Sequence, residues 1–270
     1  NGQVRGGAIH NEPASPTFTN CTFTQNTSPG PGDGIWNDST SVPILSNCVL
    51  WQNGNQEISD NGSSSNVSYS IVSGGFAGTN VTDTDPDFVD AADPDGLDGL
   101  FGTADDGLCV EPIDSPCVDA GTATGAPADD VLGASRPLGS AIDIGAYEVS
   151  VRYVDADATG GNDGSSWTHA HPELRDALAA TQPGEEIWVA AGTYKPTDTT
   201  DRSISFQLAQ NVGVYGGFVG SETRRSARDP GAHPVVLSGD IGVSLEVTDN
   251  SWHVVLSAEG SAIDGVRVSH

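Results

Sequence analysis

One short pattern is written twice between residues 16 and 53, and that repetition limits the fold more than any other feature of the chain. The first copy reads Pro16-Thr17-Phe18-Thr19-Asn20-Cys21-Thr22-Phe23-Thr24-Gln25-Asn26. The second reads Pro43-Ile44-Leu45-Ser46-Asn47-Cys48-Val49-Leu50-Trp51-Gln52-Asn53. Pro, Asn, Cys, Gln and the final Asn recur at an offset of 27 residues, and Phe18/Leu45 and Phe23/Leu50 exchange apolar for apolar. A period of this length is the mark of a stacked repeat. Within each copy apolar and polar residues alternate as in a half-buried strand, but the phase slips by one residue at the asparagine. Asparagine tolerates the left-handed backbone better than other non-glycine residues, so each copy reads as strand, Asn bend, strand. Stacking in register puts Phe18 on Leu45, Asn20 on Asn47, Cys21 on Cys48 and Phe23 on Leu50, about 4.8 Å apart, with the Asn20 and Asn47 amides in a ladder. The competing reading is an antiparallel sandwich with two similar strands.

Further coils extend the pattern. Gly6-Gly7-Ala8-Ile9-His10-Asn11 matches Gly34-Ile35-Trp36-Asn37, and a third coil follows at residues 66–72. With 34 Gly, 16 Pro and 6% aromatics, the composition is that of a turn-rich, all-β chain. The 37 acidic residues against 10 basic ones give a net charge of −27. Such a surface excludes nucleic acid and anionic membrane as natural partners and suits oxygen-seeking cations such as Ca²⁺. No 18-residue apolar run is present to span a membrane. With neither a leader nor a starting Met, the sequence reads as a processed piece or a segment of something longer.

Residues 80–108 concentrate aspartate. Asp93, Asp95 and Asp98 around Gly96, followed by Asp105 and Asp106, resemble a Ca²⁺ loop without its closing Glu. The alternative is a solvated acidic loop. Cys109 and Cys117 flank a Pro-containing turn, and in an oxidising compartment a local disulfide between them is expected. Cys21 and Cys48 fall within disulfide reach when stacked, and equally suit packed thiols. Residues 1–148 form a first domain. A second, residues 149–270, starts without a flexible linker. It carries one helix candidate, residues 171–180, with Pro172 and Glu173 at its start and Leu174, Ala177 and Leu178 on one face. Strand-like runs follow at 186–190, 204–208, 212–218, 235–240, 253–256 and 263–268.

Several segments together resemble right-handed parallel β-helix proteins of the pectate-lyase-like superfamily, most closely bacterial surface and secreted proteins of the choice-of-anchor Q type. Residues 153–196 are similar to the start of such a domain with its short capping helix, residues 212–242 to early coils, and residues 6–26 to middle coils. Residues 93–108 and 115–148 are similar to its end. The resemblance covers nearly the whole chain, but in permuted order: end-type segments come first. It implies an all-β, right-handed parallel β-helix cut in its middle. Joining His270 to Asn1 restores a sensible passage between coils, so Gly7, Ala8 and Ile9 would lie on Val266, Arg267 and Val268 of a preceding unit. The implied protein is an extracellular, cell-surface structural repeat. Its units propagate head to tail with copies of themselves, as tandem repeats or docked subunits; a fragment of a longer protein is the alternative.

β-Helices that cleave acidic polysaccharides pair Ca²⁺-binding acids with a strong base on one face. Here Lys195 is the only lysine, and Arg224, Arg225 and Arg228 form the only basic cluster, expected to pair with nearby acids. An enzyme is therefore not expected. A carbohydrate-binding adhesin acting on surface polysaccharide is the other alternative, resting on Trp36, Trp51, Trp167 and Trp252 as stacking platforms. His169 and His171 read as loop histidines. Most of the Asn-x-Ser/Thr triplets read as chance matches.

Overall fold

The computed structural model describes residues 5–244 and 246–269. The protein is mostly parallel β-sheet with one α-helix, and among the described residues every paired strand runs parallel to its neighbour. Among the described residues no helix is long and apolar enough to cross a membrane. Two compact units are present. The first holds residues 1–87, 115–131 and 135–148, and the second holds 88–114, 132–134 and 149–270. Residues 88–114 fall in the second unit.

In the first unit the strands are short and stack in register. They are β1 (Ile9–Asn11), β2 (Thr17–Thr19), β3 (Thr22–Thr24), β4 (Ile35–Asn37), β5 (Ile44–Ser46), β6 (Val49–Trp51), β7 (Ile58–Asp60), β8 (Asn66–Val72) and β9 (Gly78–Thr82). One sheet runs β1-β4-β7, pairing Ile9 with Ile35 and Ile35 with Ile58. β2 stacks on β5 with Phe18 on Leu45, and β3 on β6 with Phe23 on Leu50. The third coil is continuous: β8 lies on both β5 and β6, and β9 lies on β8. Leu45, Cys48, Leu50, Val67 and Val72 share one core with Ile35 and Ile58. The alternation of inward apolar residues along each strand is what seals this interior.

Asn20 and Asn47 both adopt φ 52°, the left-handed bend that resets the phase. Tyr69 takes the same conformation (φ 46°) in the third coil, and Asn80 (φ 53°) in the fourth. A tyrosine is costly there, and the stacked bends beneath it hold it in place. Segment 115–148 packs onto this unit without strands of its own, around a buried ion pair. Arg136 Nη1 donates to Glu148 Oε2 at 2.6 Å, with side chains 1% and 0% exposed. The same guanidinium donates to the carbonyls of Gly145 and Ala146, while Glu148 accepts from the Leu138 and Asp143 amides.

The second unit comprises β10 (Ser150–Val154), α1 (Leu174–Ala180), β11 (Glu185–Ala190), β12 (Gly192–Tyr194), β13 (Phe206–Gln207), β14 (Gly213–Phe218), β15 (Val235–Ser238), β16 (Val255–Leu256), β17 (Ala262–Asp264) and β18 (Val266–Ser269). Its sheets run β10-β11-β14-β17, β12-β15-β18 and β13-β16. The helix is shorter than the sequence suggests. His171, Pro172 and Glu173 stay outside it because Glu173 is extended and provides no side-chain cap. Its face of Leu174, Ala177 and Leu178 joins Val154, Ile187, Phe206 and Val214 in the main core. The run expected at 263–268 breaks into two strands at Gly265, whose φ of 70° turns the chain. Trp188 stacks on Phe218 at 4.7 Å in a second, aromatic cluster with Tyr153 and Trp167.

Candidate functional site: ladders, sheet edges and acidic loops

The repeat asparagines meet. Asn47 Nδ2 donates to Asn20 Oδ1 at 3.1 Å. Both ends of this ladder are held by segment 115–148: Asn20 Nδ2 donates to the Asp143 carbonyl, and Asn47 exchanges two bonds with Thr122. Two further ladders carry no asparagine bend and were missed in the sequence. Asn11 Nδ2 donates to Asn37 Oδ1 at 2.6 Å, and Asn37 Nδ2 to Asp60 Oδ1 at 2.8 Å. Asn26 Nδ2 donates to Asn53 Oδ1 at 2.8 Å. The recurring Asn in Ile-x-Asn and Gln-Asn was the available signal. Stacked amides satisfy each other inside a coil where water cannot, as buried polar groups require.

Among the described residues the stacks end in open edges. β1 is the terminal strand of its sheet, as is β18 of its own. Gly7, Ala8 and Ile9 lie at the first edge, Val266, Arg267 and Val268 at the second. Burial is graded toward both. Leu237 is sealed while its in-register partner Val268 is 52% exposed; Val214 is sealed while Ile263 is 39% exposed. At the other edge Ile9, Phe18 and Phe23 are half-buried above the sealed Ile35, Leu45 and Leu50.

The four cysteines are free thiols. The expected bond between Cys109 and Cys117 does not form, and the two residues pack into different units. The Cys109 main chain pairs with Val89, and Cys117 Sγ donates to the Pro86 carbonyl. Burial pushes the Cys117 thiol up to about 12. Cys21 and Cys48 stack as thiols. A hydrogen bond from Cys48 brings the Cys21 thiol down to about 7, and Cys48 itself rises as the protonated partner, further raised by burial.

The aspartates of the 93–106 loop do not converge on one point; no group of three carboxylates there has its oxygens within ligating reach among the described residues. The loop uses them itself. Asp106 accepts from the Gly102 and Thr103 amides, Asp105 from the Asp98 amide and Thr103 Oγ1, and Asp98 from the Leu100 amide. Asp93 and Asp95 sit in the turns between. Short side-chain-to-amide bonds of this kind compete with metal coordination. Among the described residues the one set that does converge is His10, Glu12 and Asp38, within 4.8 Å of one another. There the Arg5 guanidinium lies 3.4 Å from Asp38 and opposes a cation.

The basic cluster is neutralised. Arg225 pairs with Glu186 at 2.9 Å and lies over the Tyr215 ring at 4.4 Å. Arg228 pairs with Asp264 and lies over the same ring at 5.5 Å. Arg224 lies 3.7 Å from Asp114. Beside them opens a cleft of about 320 Å³ that includes Asp90, Asp98 and Asp105. Burial raises the Glu111 carboxyl next to it, with the Glu186 charge adding. The four candidate tryptophans differ in exposure. Trp36 is 6% exposed and lies under Arg5, Trp51 is half-buried at the end of β6, and Trp167 is wedged between Tyr153 and Phe218, leaving Trp252 exposed.

Comparison with protein-family models, with curated proteins and with solved structures returns no match.

Proposed function

We propose that this protein is a structural unit of an extracellular, cell-surface fibre or stalk, built as a right-handed parallel β-helix of the pectate-lyase-like kind and continued head to tail by further units of itself. The graded burial toward both sheet edges carries this reading. Each edge offers unpaired parallel-strand backbone and a row of half-exposed apolar side chains in the register of the coil beneath. Such an edge is a template for another strand. A second copy supplies that strand, with its Gly7-Ala8-Ile9 coil on Val266-Arg267-Val268. Whether units are joined in tandem or docked, the product is a one-dimensional polymer. The ladders, apolar stacks and divalent cations drawn by the acidic surface would supply rigidity.

Electron microscopy and sedimentation of the purified chain test this. Filaments with a regular unit repeat are expected. Monodisperse monomers at high concentration, with ordered edges, would overturn it. Turnover of a polyuronate by the pure chain would instead favour a lyase.

A further inference from the structure

The loop between β15 and β16 contains acceptor oxygens that the protein leaves unsatisfied. Asn250 and Ser251 are 4% and 2% exposed. Asn250 Oδ1, Ser251 Oγ and the adjacent Asp249 Oδ1 are all shut off from solvent, and none has a hydrogen-bond partner among the described residues. Buried polar atoms nearly always find partners. Three successive side chains that fail together mark a place for a species that the described residues do not provide.

Looseness does not explain the failure, because the surrounding main chain is tied at several points. The Ser251 amide donates to the Gly239 carbonyl at 2.9 Å, which brings the neighbouring Asp240 alongside. The Val243 amide donates to the other Asp249 oxygen at 2.8 Å. Gly242 lies so close to that carboxylate that a Cβ would come within 2.3 Å of it. Arg202 Nε donates to the Asn250 carbonyl at 2.6 Å, holding the main chain and leaving the side-chain oxygens untouched.

The donor set is a carboxylate, an amide oxygen and a hydroxyl, and Asp240 directly follows the glycine that the Ser251 amide pairs with. It contains no nitrogen or sulfur ligand. Water alone would satisfy the amide and hydroxyl but would bring no charge to the carboxylate, whose Oδ1 is shut off from solvent. Ca²⁺ takes six to eight such oxygens at about 2.3–2.6 Å, in flexible geometry and with water filling the remainder, whereas Mg²⁺ demands a stricter octahedron. We propose that Asp249, Asn250 and Ser251, with the carboxylate of Asp240, bind Ca²⁺. Residue 245 of this loop lies outside the described residues. The site is separate from the 93–106 loop, whose carboxylates its own amides occupy, and it stands whether or not the chain polymerises.

The test uses the full chain, with Tb³⁺ and Ca²⁺ as probes in about 0.15 M salt to screen the acidic surface. Trp252 is adjacent and 62% exposed, well placed to sensitise bound Tb³⁺. Sensitised emission that Ca²⁺ displaces is expected, together with a Ca²⁺-dependent rise in Tm. Trp252→Phe should lose most of the emission and keep the rise. Asp249→Asn retains an acceptor for the Val243 amide and should weaken Ca²⁺ binding by about tenfold or more, since ligand charge sets affinity. Ser251→Ala should weaken it less, and Asp105→Asn should leave it unchanged. Equal Ca²⁺ binding by wild type and Asp249→Asn would overturn the proposal. Emission unchanged by Trp252→Phe, or a Tm indifferent to Ca²⁺ and EDTA, would overturn it too. Should both loop variants fail to fold, the wild type and Trp252→Phe decide the matter.

Discussion

Asn47 Nδ2 lies 3.1 Å from Asn20 Oδ1, and Asn47 Oδ1 accepts the Thr122 amide at 2.8 Å. One side chain thus stacks two coils and anchors segment 115–148, while its backbone makes the left-handed bend. Asn47→Ala loses the bonds and the conformation together, for a cost of about 3 kcal/mol. Asn47→Gly loses only the bonds, for about half that loss. Chemical denaturation checks the order of the two; an equal loss would mean that the bend contributes nothing.

The Arg136–Glu148 pair is wholly buried, and removing one partner strands the other. Arg136→Met should cost about 3–5 kcal/mol at neutral pH. Burial already holds the Glu148 carboxyl above its usual range, against the pull of amides and Arg136. A raised carboxyl binds its proton more tightly in the folded state, so stability falls as pH rises through the folded value. Without Arg136 that value climbs further. The deficit of the variant should therefore shrink between pH 8 and pH 5, as urea midpoints at both pH values will show.

Asp33 titrates with the opposite sign. Amide donors at Ser28 and Asn55 hold its carboxyl below the usual 3.8. Its contribution is present above 3.8 and is lost as pH falls through the lower folded value. Asp33→Asn should lower the denaturation midpoint at pH 7 and leave it near that of the wild type once Asp33 is protonated. A constant difference across this range would refute the assignment.

Cys21 should be the most reactive thiol. Limited iodoacetamide treatment near pH 7.5, followed by peptide mapping, should find the label there before the buried Cys117. Cys48→Ala removes the hydrogen bond that lowers the Cys21 thiol, and should move the inflection from about 7 toward the ordinary thiol value of about 8.5.

Val268→Lys places a charge on the exposed edge of β18 without opening the core. Stability should change by less than about 0.5 kcal/mol, as for other exposed positions. Self-association, measured by sedimentation, should be lost. Filaments that persist in this variant would move the interface elsewhere.

Much of the β architecture is legible along the chain because it is local. Phe18 over Leu45 and Phe23 over Leu50 follow from an alternation that a one-residue slip would turn inside out. The helix face of Leu174, Ala177 and Leu178 follows from its period. The third-coil bend at Tyr69 gives no local sign, since tyrosine seldom adopts that conformation and only the coils below impose it. The cysteine expectation failed because a spacing of eight residues says nothing about which unit each residue joins.

What the sequence determined by itself is the strand–bend–strand repeat, its register and the acidic character of the surface, all set by nearest-neighbour sterics, side-chain parity and charge count. Tertiary structure alone decided where the polar atoms found partners. The Asp105 and Asp106 carboxylates turned to their own loop's amides, Arg136 met Glu148 in a sealed interior, and Asp249 Oδ1, Asn250 Oδ1 and Ser251 Oγ were left without a partner among the described residues. Hydrogen-bond satisfaction depends on which groups folding brings within about 3 Å, and no periodicity in the chain encodes that.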